Sequence, residues 1–233
     1  VYNNAGITYY IKGEPIDEDL KKKPYKLIFH YIEKNLTGQA QETAMALLFL
    51  MDANEEKYDP EILPLEERFR QMHPQSKWQP LIDKAIAKNK AFNQAEIPDY
   101  IHFPNVDKAK TLKEVTDLYK GKVIFMDIWA TWCGPCRESF AHVKPLQEYA
   151  KKNDIVLLYL SIDRPDDDAK WRKMAAHYDL MGEHVRAQEA FKKEIYDTFG
   201  NERGALSIPR CVIIGKDGKV KFTWAASPEN MEE

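Results

Sequence analysis

The apolar residues of this chain change their spacing once, near residue 97, and that switch restricts the fold to two modules of different construction. Before it, apolar residues recur every three to four positions. Tyr25, Ile28, Phe29 and Ile32 follow Pro24 at i, i+3, i+4 and i+7, and Ala44, Leu47, Leu48 and Met51 repeat the stripe. The Asp59-Pro60 pair reads as the cap of a third helix carrying Leu65, Phe69 and Met72. Ser76 with Gln79 three residues on reads as the capping box of a fourth, with Trp78, Leu81, Ile82, Ala85 and Ile86 inside. Short connections between such helices favour antiparallel neighbours, so residues 1–95 are expected to hold a small all-α bundle. Residues 1–20 are too irregular to assign.

After the switch, strand and helix patterns alternate. Residues 98–103 read as a short strand, Thr111-x-x-Glu114 as the capping box of a helix that Gly121 ends, and residues 122–129 as a strand. Residues 133 to about 152 read as one helix and 155–162 as a strand. Asp168 opens a helix burying Trp171, Met174, Ala175 and Tyr178, and a further helix uses Phe191, Ile195 and Phe199. Residues 211–214 and 219–224 flank Gly215-Lys216-Asp217-Gly218 as a hairpin. This order predicts an α/β module over residues 96–233, a mixed sheet with helices on both faces. Ser227-Pro228 reads as the cap and first turn of a closing helix for which only residues 229–233 remain, so that helix is expected to be incomplete.

Composition narrows the partners. Lys and Arg number 34 against 37 Asp and Glu, a net charge of −3, which lacks the basic excess of a nucleic-acid binder. The basic run at residues 21–23 stands beside Glu18 and Asp19 and ends at Pro24, the pattern of a solvated helix start. The longest apolar run, residues 44–51, is far short of the roughly 18 residues that span a bilayer, so no membrane span is expected in this chain. It starts at Val1 without a basic and then apolar leader; a targeting segment either never existed or was removed.

Three cysteines are too few for a disulfide scaffold, but two stand in Trp132-Cys133-Gly134-Pro135-Cys136, where a strand hands over to a helix. Free backbone N–H groups and the helix dipole favour Cys133 as thiolate, and Cys136, one turn inside, is placed to close a disulfide with it. A structural zinc ion normally needs four Cys or His ligands. The only other thiol is Cys211, no spaced His pair accompanies it, and His142 on the same helix could not face Cys136. Dithiol redox chemistry without metal is therefore the expectation. Asp127 sits in an otherwise apolar strand six residues before Cys133. Burial raises a carboxyl pKa and suits it to proton exchange near neutral pH, the alternative being a structural carboxylate bonded to backbone or water. Cys211 reads as a small apolar strand residue in preference to a third redox thiol, and His177 and His184 as surface or core residues.

Residues 125–136 (Phe-Met-Asp-Ile-Trp-Ala-Thr-Trp-Cys-Gly-Pro-Cys), Ser207-Ile208-Pro209 before a strand, and the Gly-Lys-Asp-Gly turn resemble the thioredoxin superfamily. Ile97-Pro98-Asp99-Tyr100, Lys122-Val123-Ile124, Ser161-Ile162-Asp163 and the long insert before Ile208 are similar to the TlpA/ResA-type thiol-disulfide oxidoreductases of bacterial cell envelopes. The resemblance covers about residues 96–226, and the helical region is similar to N-terminal extensions that some such proteins carry. It implies a thioredoxin-like fold with Cys133 attacking, Cys136 resolving, a redox disulfide between them and Asp127 serving the thiol chemistry. It further implies a cis bond at Pro209, with Ile208 offering backbone groups to an extended substrate segment and Trp132, Gly134 and Pro135 completing the substrate-binding surface. The implied enzyme acts on protein thiols or disulfides, takes electrons from or gives them to an upstream redox partner, and needs no organic cofactor. It would be exported to the periplasm or cell envelope, with tethering by a removed N-terminal segment as one arrangement. Arg210, where thioredoxins often carry a small polar residue, and the late Pro145 depart from the family pattern. Two rivals stand beside this reading: a thiol peroxidase of the same fold, whose usual Pro/Thr/Cys pattern Thr131-Trp132-Cys133 does not supply, and a binding or assembly module with an incidental redox site.

Overall fold

The computed structural model describes residues 23–106 and 108–230, which fall into two compact units divided between Gln94 and Ala95. The irregular opening at residues 1–20 and the basic residues 21–22 lie outside the described residues. Lys23 pairs with Glu61 at 3.3 Å on the surface.

The first unit contains helices α1 (Pro24–Asn35), α2 (Gly38–Asn54), α3 (Ile62–Met72) and α4 (Gln79–Gln94). Pro24 occupies the first turn of α1, where its missing N–H costs nothing. The core gathers Phe29, Met45, Phe49, Ile62, Phe69 and Ile82, with the rings of Phe29, Phe49 and Phe69 meeting edge to face at 6.3 and 5.6 Å. The buried stripe differs from the expected one. Ile28, Leu47, Met51 and Leu81 are exposed, whereas Leu27, Met45, Phe49 and Ala53 are buried. Because α2 is apolar all round over residues 44–51, its pattern does not mark an inner face; a polar residue does. Asp52 is buried, its Oδ1 accepting from the Asp59 N–H and its Oδ2 from the Asn89 amide, both at 2.9 Å, so the helix is turned to bring Asp52 inside. The expected box at Ser76 is not made either. Ser76 Oγ accepts from the Trp78 N–H and donates to Glu42, while the Gln79 amide donates to Glu66 and Asp83. Trp78 and Met72 are only partly buried.

The second unit contains β1 (Ile101–His102), α5 (Leu112–Thr116), β2 (Val123–Trp129), α6 (Gly134–Phe140), α7 (Val143–Asn153), β3 (Ile155–Ser161), α8 (Asp168–His177), β4 (Gly182–Arg186), α9 (Glu189–Phe199), β5 (Arg210–Ile214) and β6 (Val220–Ala225). The sheet order is β1-β4-β3-β2-β5-β6, parallel from β1 to β2 and antiparallel from β2 through β5 to β6. This is the mixed sheet the strand-helix alternation predicts. The central β2 buries Ile124, Met126, Ile128 and Trp129, each fully buried aliphatic side chain contributing about 1.5–3 kcal/mol. Thr111 caps α5 by accepting from the Glu114 N–H at 3.3 Å, and the final hairpin turns through Gly218 at φ +74°.

Four elements depart from expectation. The first strand is two residues long because Pro98 and Pro104 bracket it and neither can donate to a ladder. The stretch from 133 to 152 is two helices. Pro145 falls in the first turn of α7, where it has no N–H for the carbonyl of residue 141 and its ring would clash with it, so the helix ends and restarts at Ala141 and His142. His142 is consequently outside the helix that carries Cys136. Strand β4 is too short and polar to stand out, and its existence comes from parallel pairing on both sides; Gly182 is required at its start, since a Cβ there would lie 2.6 Å from the Leu157 carbonyl oxygen. Tyr178 follows α8 and is half-buried, outside that helix. The closing segment forms a single 3₁₀ turn at Pro228–Asn230 with Pro228 buried; residues 231–233 lie outside the described residues.

Candidate active site

Strand β2 ends at Trp129, and four residues later Cys133 stands as the N-cap of α6, its Sγ accepting from the Cys136 N–H at 3.1 Å. Pro135 takes an early helical position that needs no N–H. Cys133 and Cys136 are joined by a disulfide, their Cα atoms 5.3 Å apart. Cys136 is wholly buried and Cys133 is 4% exposed, beneath an exposed Trp132 and Pro135 and a half-buried Gly134. Once reduced, the outer sulfur faces the positive end of a helix while the inner one is wholly buried one turn along, and these settings favour opposite protonation states. In the reduced protein, Cys133 is therefore expected to alkylate faster than Cys136 near neutral pH. Rates against pH in Cys136→Ala and Cys133→Ala measure this, and faster labelling of Cys136 would reverse the two roles.

Asp127 is 2% exposed and, among the described residues, its Oδ1 has no hydrogen-bond partner. Burial, and then the charge of Glu229, push its carboxyl up to about 7. The sheet register places Asp127 between Cys211 on β5 and Tyr159 on β3, and Tyr159 opposite His184 on β4, whose ring stacks on it at 4.8 Å. This buried cross-strand row contains no lysine or arginine. Burial raises the Tyr159 hydroxyl and the Cys211 thiol and lowers His184 to about 4, leaving all three neutral. Asp127 is the member of the row that titrates near neutral pH. Cys211 is a buried strand residue with an un-ionised thiol, and His184 is a core residue bonded to the Leu180 carbonyl at 2.8 Å.

The Ile208–Pro209 peptide bond is cis. Arg210, the first residue of β5, pairs in register with Ile128 on β2. Continuing that antiparallel register brings Pro209 and Ile208 alongside Trp129 and Ala130, so both half-exposed residues share the sheet end from which Cys133 projects. One further residue supports this region. Asp163, wholly buried just past β3, accepts from the Thr131 N–H at 3.1 and 3.0 Å, from the Thr131 hydroxyl at 2.9 Å and from the Ser161 hydroxyl at 2.7 Å. It thereby fixes the segment leading into Trp132 and Cys133. The Ser161-x-Asp163 spacing, typical of side-chain turns, was the available signal.

A family described as Redoxin matches residues 88–232, more than half of the chain. The chain belongs to the Redoxin family. Among curated relatives, the thiol-disulfide oxidoreductase ResA of Bacillus thuringiensis subsp. konkukian is 29% identical over 142 residues, covering 59% of this chain and 73% of that protein. The thiol:disulfide interchange protein CycY of Rhizobium leguminosarum bv. viciae is 25% identical over 137 residues, 56% of this chain and 68% of that one. A solution structure of a thiol-disulfide oxidoreductase from Bacteroides vulgatus aligns with a TM-score of 0.41 at 28% identity, covering 60% of this chain and 86% of that chain. This Redoxin-family chain is a TlpA/ResA-type member of the thioredoxin superfamily and a thiol-disulfide oxidoreductase.

Proposed function

We propose that residues 96–233 form a thioredoxin-like domain that exchanges its Cys133–Cys136 dithiol or disulfide with protein substrates in a bacterial cell envelope, and that residues 1–95 form a separate helical domain. In the reducing direction, the Cys133 thiolate attacks one sulfur of a substrate disulfide. The substrate S–S bond breaks, one substrate thiolate leaves, and a mixed disulfide joins Cys133 to the other sulfur. Cys136, deprotonated, then attacks Cys133, releasing the second substrate thiolate and closing the Cys133–Cys136 disulfide, so two electrons pass to the substrate. The oxidising direction is the same path reversed, and an upstream redox partner resets the pair. Asp127 takes up and returns the proton of the buried thiol. The substrate segment lies extended against Ile208 and Pro209, bonded through its backbone, with Trp132, Gly134 and Pro135 as the facing surface.

The observation that carries this reading is the division of labour between the sulfurs: Cys133 caps a helix and accepts the Cys136 N–H, while Cys136 is wholly buried one turn inside. The envelope location rests on membership of the TlpA/ResA group. None of the described helices is long and apolar enough to cross a membrane. The test is substrate trapping with Cys136→Ala, which removes the resolving thiol. Protein adducts captured from envelope extracts and released by reductant are the expected result. No adduct, together with peroxide consumption by the wild type at enzymatic rates, would replace this reading with a thiol peroxidase; neither activity would favour a binding module.

A further inference from the structure

Arg210 is the residue directly after the cis peptide, and it is only 9% exposed. Its guanidinium lies 3.8 Å over the ring of Trp224, which is 65% exposed on the edge strand β6. One of its donors, Nη1, is committed to the Thr223 carbonyl at 3.3 Å. Among the described residues, the opposite edge of the fork, formed by Nε and Nη2, meets no acceptor, and Nε is buried. Among the described residues, no carboxylate pairs with this arginine, whereas Arg172 and Arg186 both pair with Asp168. A stacked guanidinium is held flat, so its free edge keeps a fixed direction. That edge has the two parallel N–H bonds that match the two oxygens of one carboxylate. A buried charged donor without an acceptor costs more than a neutral one, so a ligand supplying that acceptor gains binding from the change.

From this arrangement we infer that the Nε/Nη2 edge of Arg210, supported by Trp224, receives the carboxylate of an Asp or Glu lying one or two residues from the reacting cysteine of the substrate segment. The inference rests on the reading that such a segment docks along Ile208 and Pro209. Those residues immediately precede Arg210, and successive residues of an extended segment advance by about 3.3 Å, so a neighbour of the substrate cysteine falls within reach of the guanidinium. Arg210 then selects among substrates by charge, while the backbone bonds to Ile208 accept any sequence.

The experiment uses the full chain, reduced and freed of reductant, and short peptides whose single cysteine carries thionitrobenzoate as a mixed disulfide. Attack of Cys133 on the peptide sulfur releases the coloured thiolate, and Cys136 then releases the peptide thiol, leaving the protein oxidised. Glu is walked through the two positions on each side of the cysteine and compared with Gln at the same place. At one position, the wild type is expected to favour Glu by about tenfold at low salt, with the preference shrinking as salt screens the pair. Arg210→Gln should bring the Glu to Gln ratio close to one, and Arg210→Glu should invert the preference toward a Lys peptide. Each variant is read as a ratio between peptides, which controls for any change in its absolute rate. A wild-type ratio of one at every position, or a preference that survives Arg210→Gln, would overturn the assignment. Failure of the wild type to release thiolate from any peptide would instead overturn the docking reading on which it rests.

Discussion

Asp127→Asn is expected to slow thiol-disulfide exchange by about 10²-fold at pH 7, the lower end of what a positioned proton acceptor contributes, while making the protein more stable in alkali. Both effects come from the same burial. The carboxyl titrates at its ordinary 3.8 when unfolded and at about 7 in the fold, so between those values the native state holds a proton that the unfolded chain has lost. Stability conferred by that proton is complete below pH 4 and is lost as pH rises through 7. Ionised Asp127 then opposes folding by up to about 4 kcal/mol. Asparagine keeps the shape and carries no charge. The variant should therefore melt with the wild type near pH 4 and several degrees above it at pH 8. Glu229→Gln provides a second handle, because removing that charge should shift the wild-type step to lower pH. Stopped-flow exchange rates and melting curves across pH 4 to 9 decide the matter. A pH–rate profile unchanged in Asp127→Asn would return the residue to a structural role.

Much of this site was legible because its chemistry depends on local order. The Cys-x-x-Cys pair at a strand-to-helix handover fixes which sulfur caps the helix, and a single carboxylate in an apolar strand is buried wherever that strand is central. What the sequence did not disclose depends on contacts between distant segments. The inner face of α2 is set by Asp52 reaching Asp59 and Asn89, partners seven and 37 residues away, so a helix apolar on all sides carried no local sign of it. Strand β4 exists through its two neighbours, and its own polar residues suggest a loop. Pro145 did announce the break between α6 and α7, since proline cannot continue a helix at that point, but the apolar spacing on either side read through it. The anchoring role of Asp163 depends on Thr131, 32 residues away. The free edge of Arg210 likewise depends on Trp224 and Thr223 of the neighbouring strand.

Asp163→Ala should be the most destabilising single change near the cysteines. The Asp163 carboxylate accepts the Thr131 N–H, the Thr131 hydroxyl and the Ser161 hydroxyl in a site closed to solvent. Alanine leaves three buried donors to find other acceptors, and each orphaned group costs about 1–3 kcal/mol. Relaxation and water entry recover part of this, so a net loss of about 3–5 kcal/mol is expected, within the range for breaking a buried polar network. Asp163→Asn should lose less, because its carbonyl oxygen still accepts, although its amide adds donors where donors already converge. Urea unfolding midpoints give the stabilities. Comparing Thr131→Val in the wild-type and Asp163→Ala backgrounds separates the anchor from a general packing loss. If the two residues act as one unit, the second change should cost markedly less once the first is made. Strict additivity would mean that Asp163 supports the fold without holding the Thr131 segment. In the coupled case, reduced Asp163→Ala should also alkylate at Cys133 at an altered rate under native conditions, since the segment leading to that sulfur has lost its tie to β3.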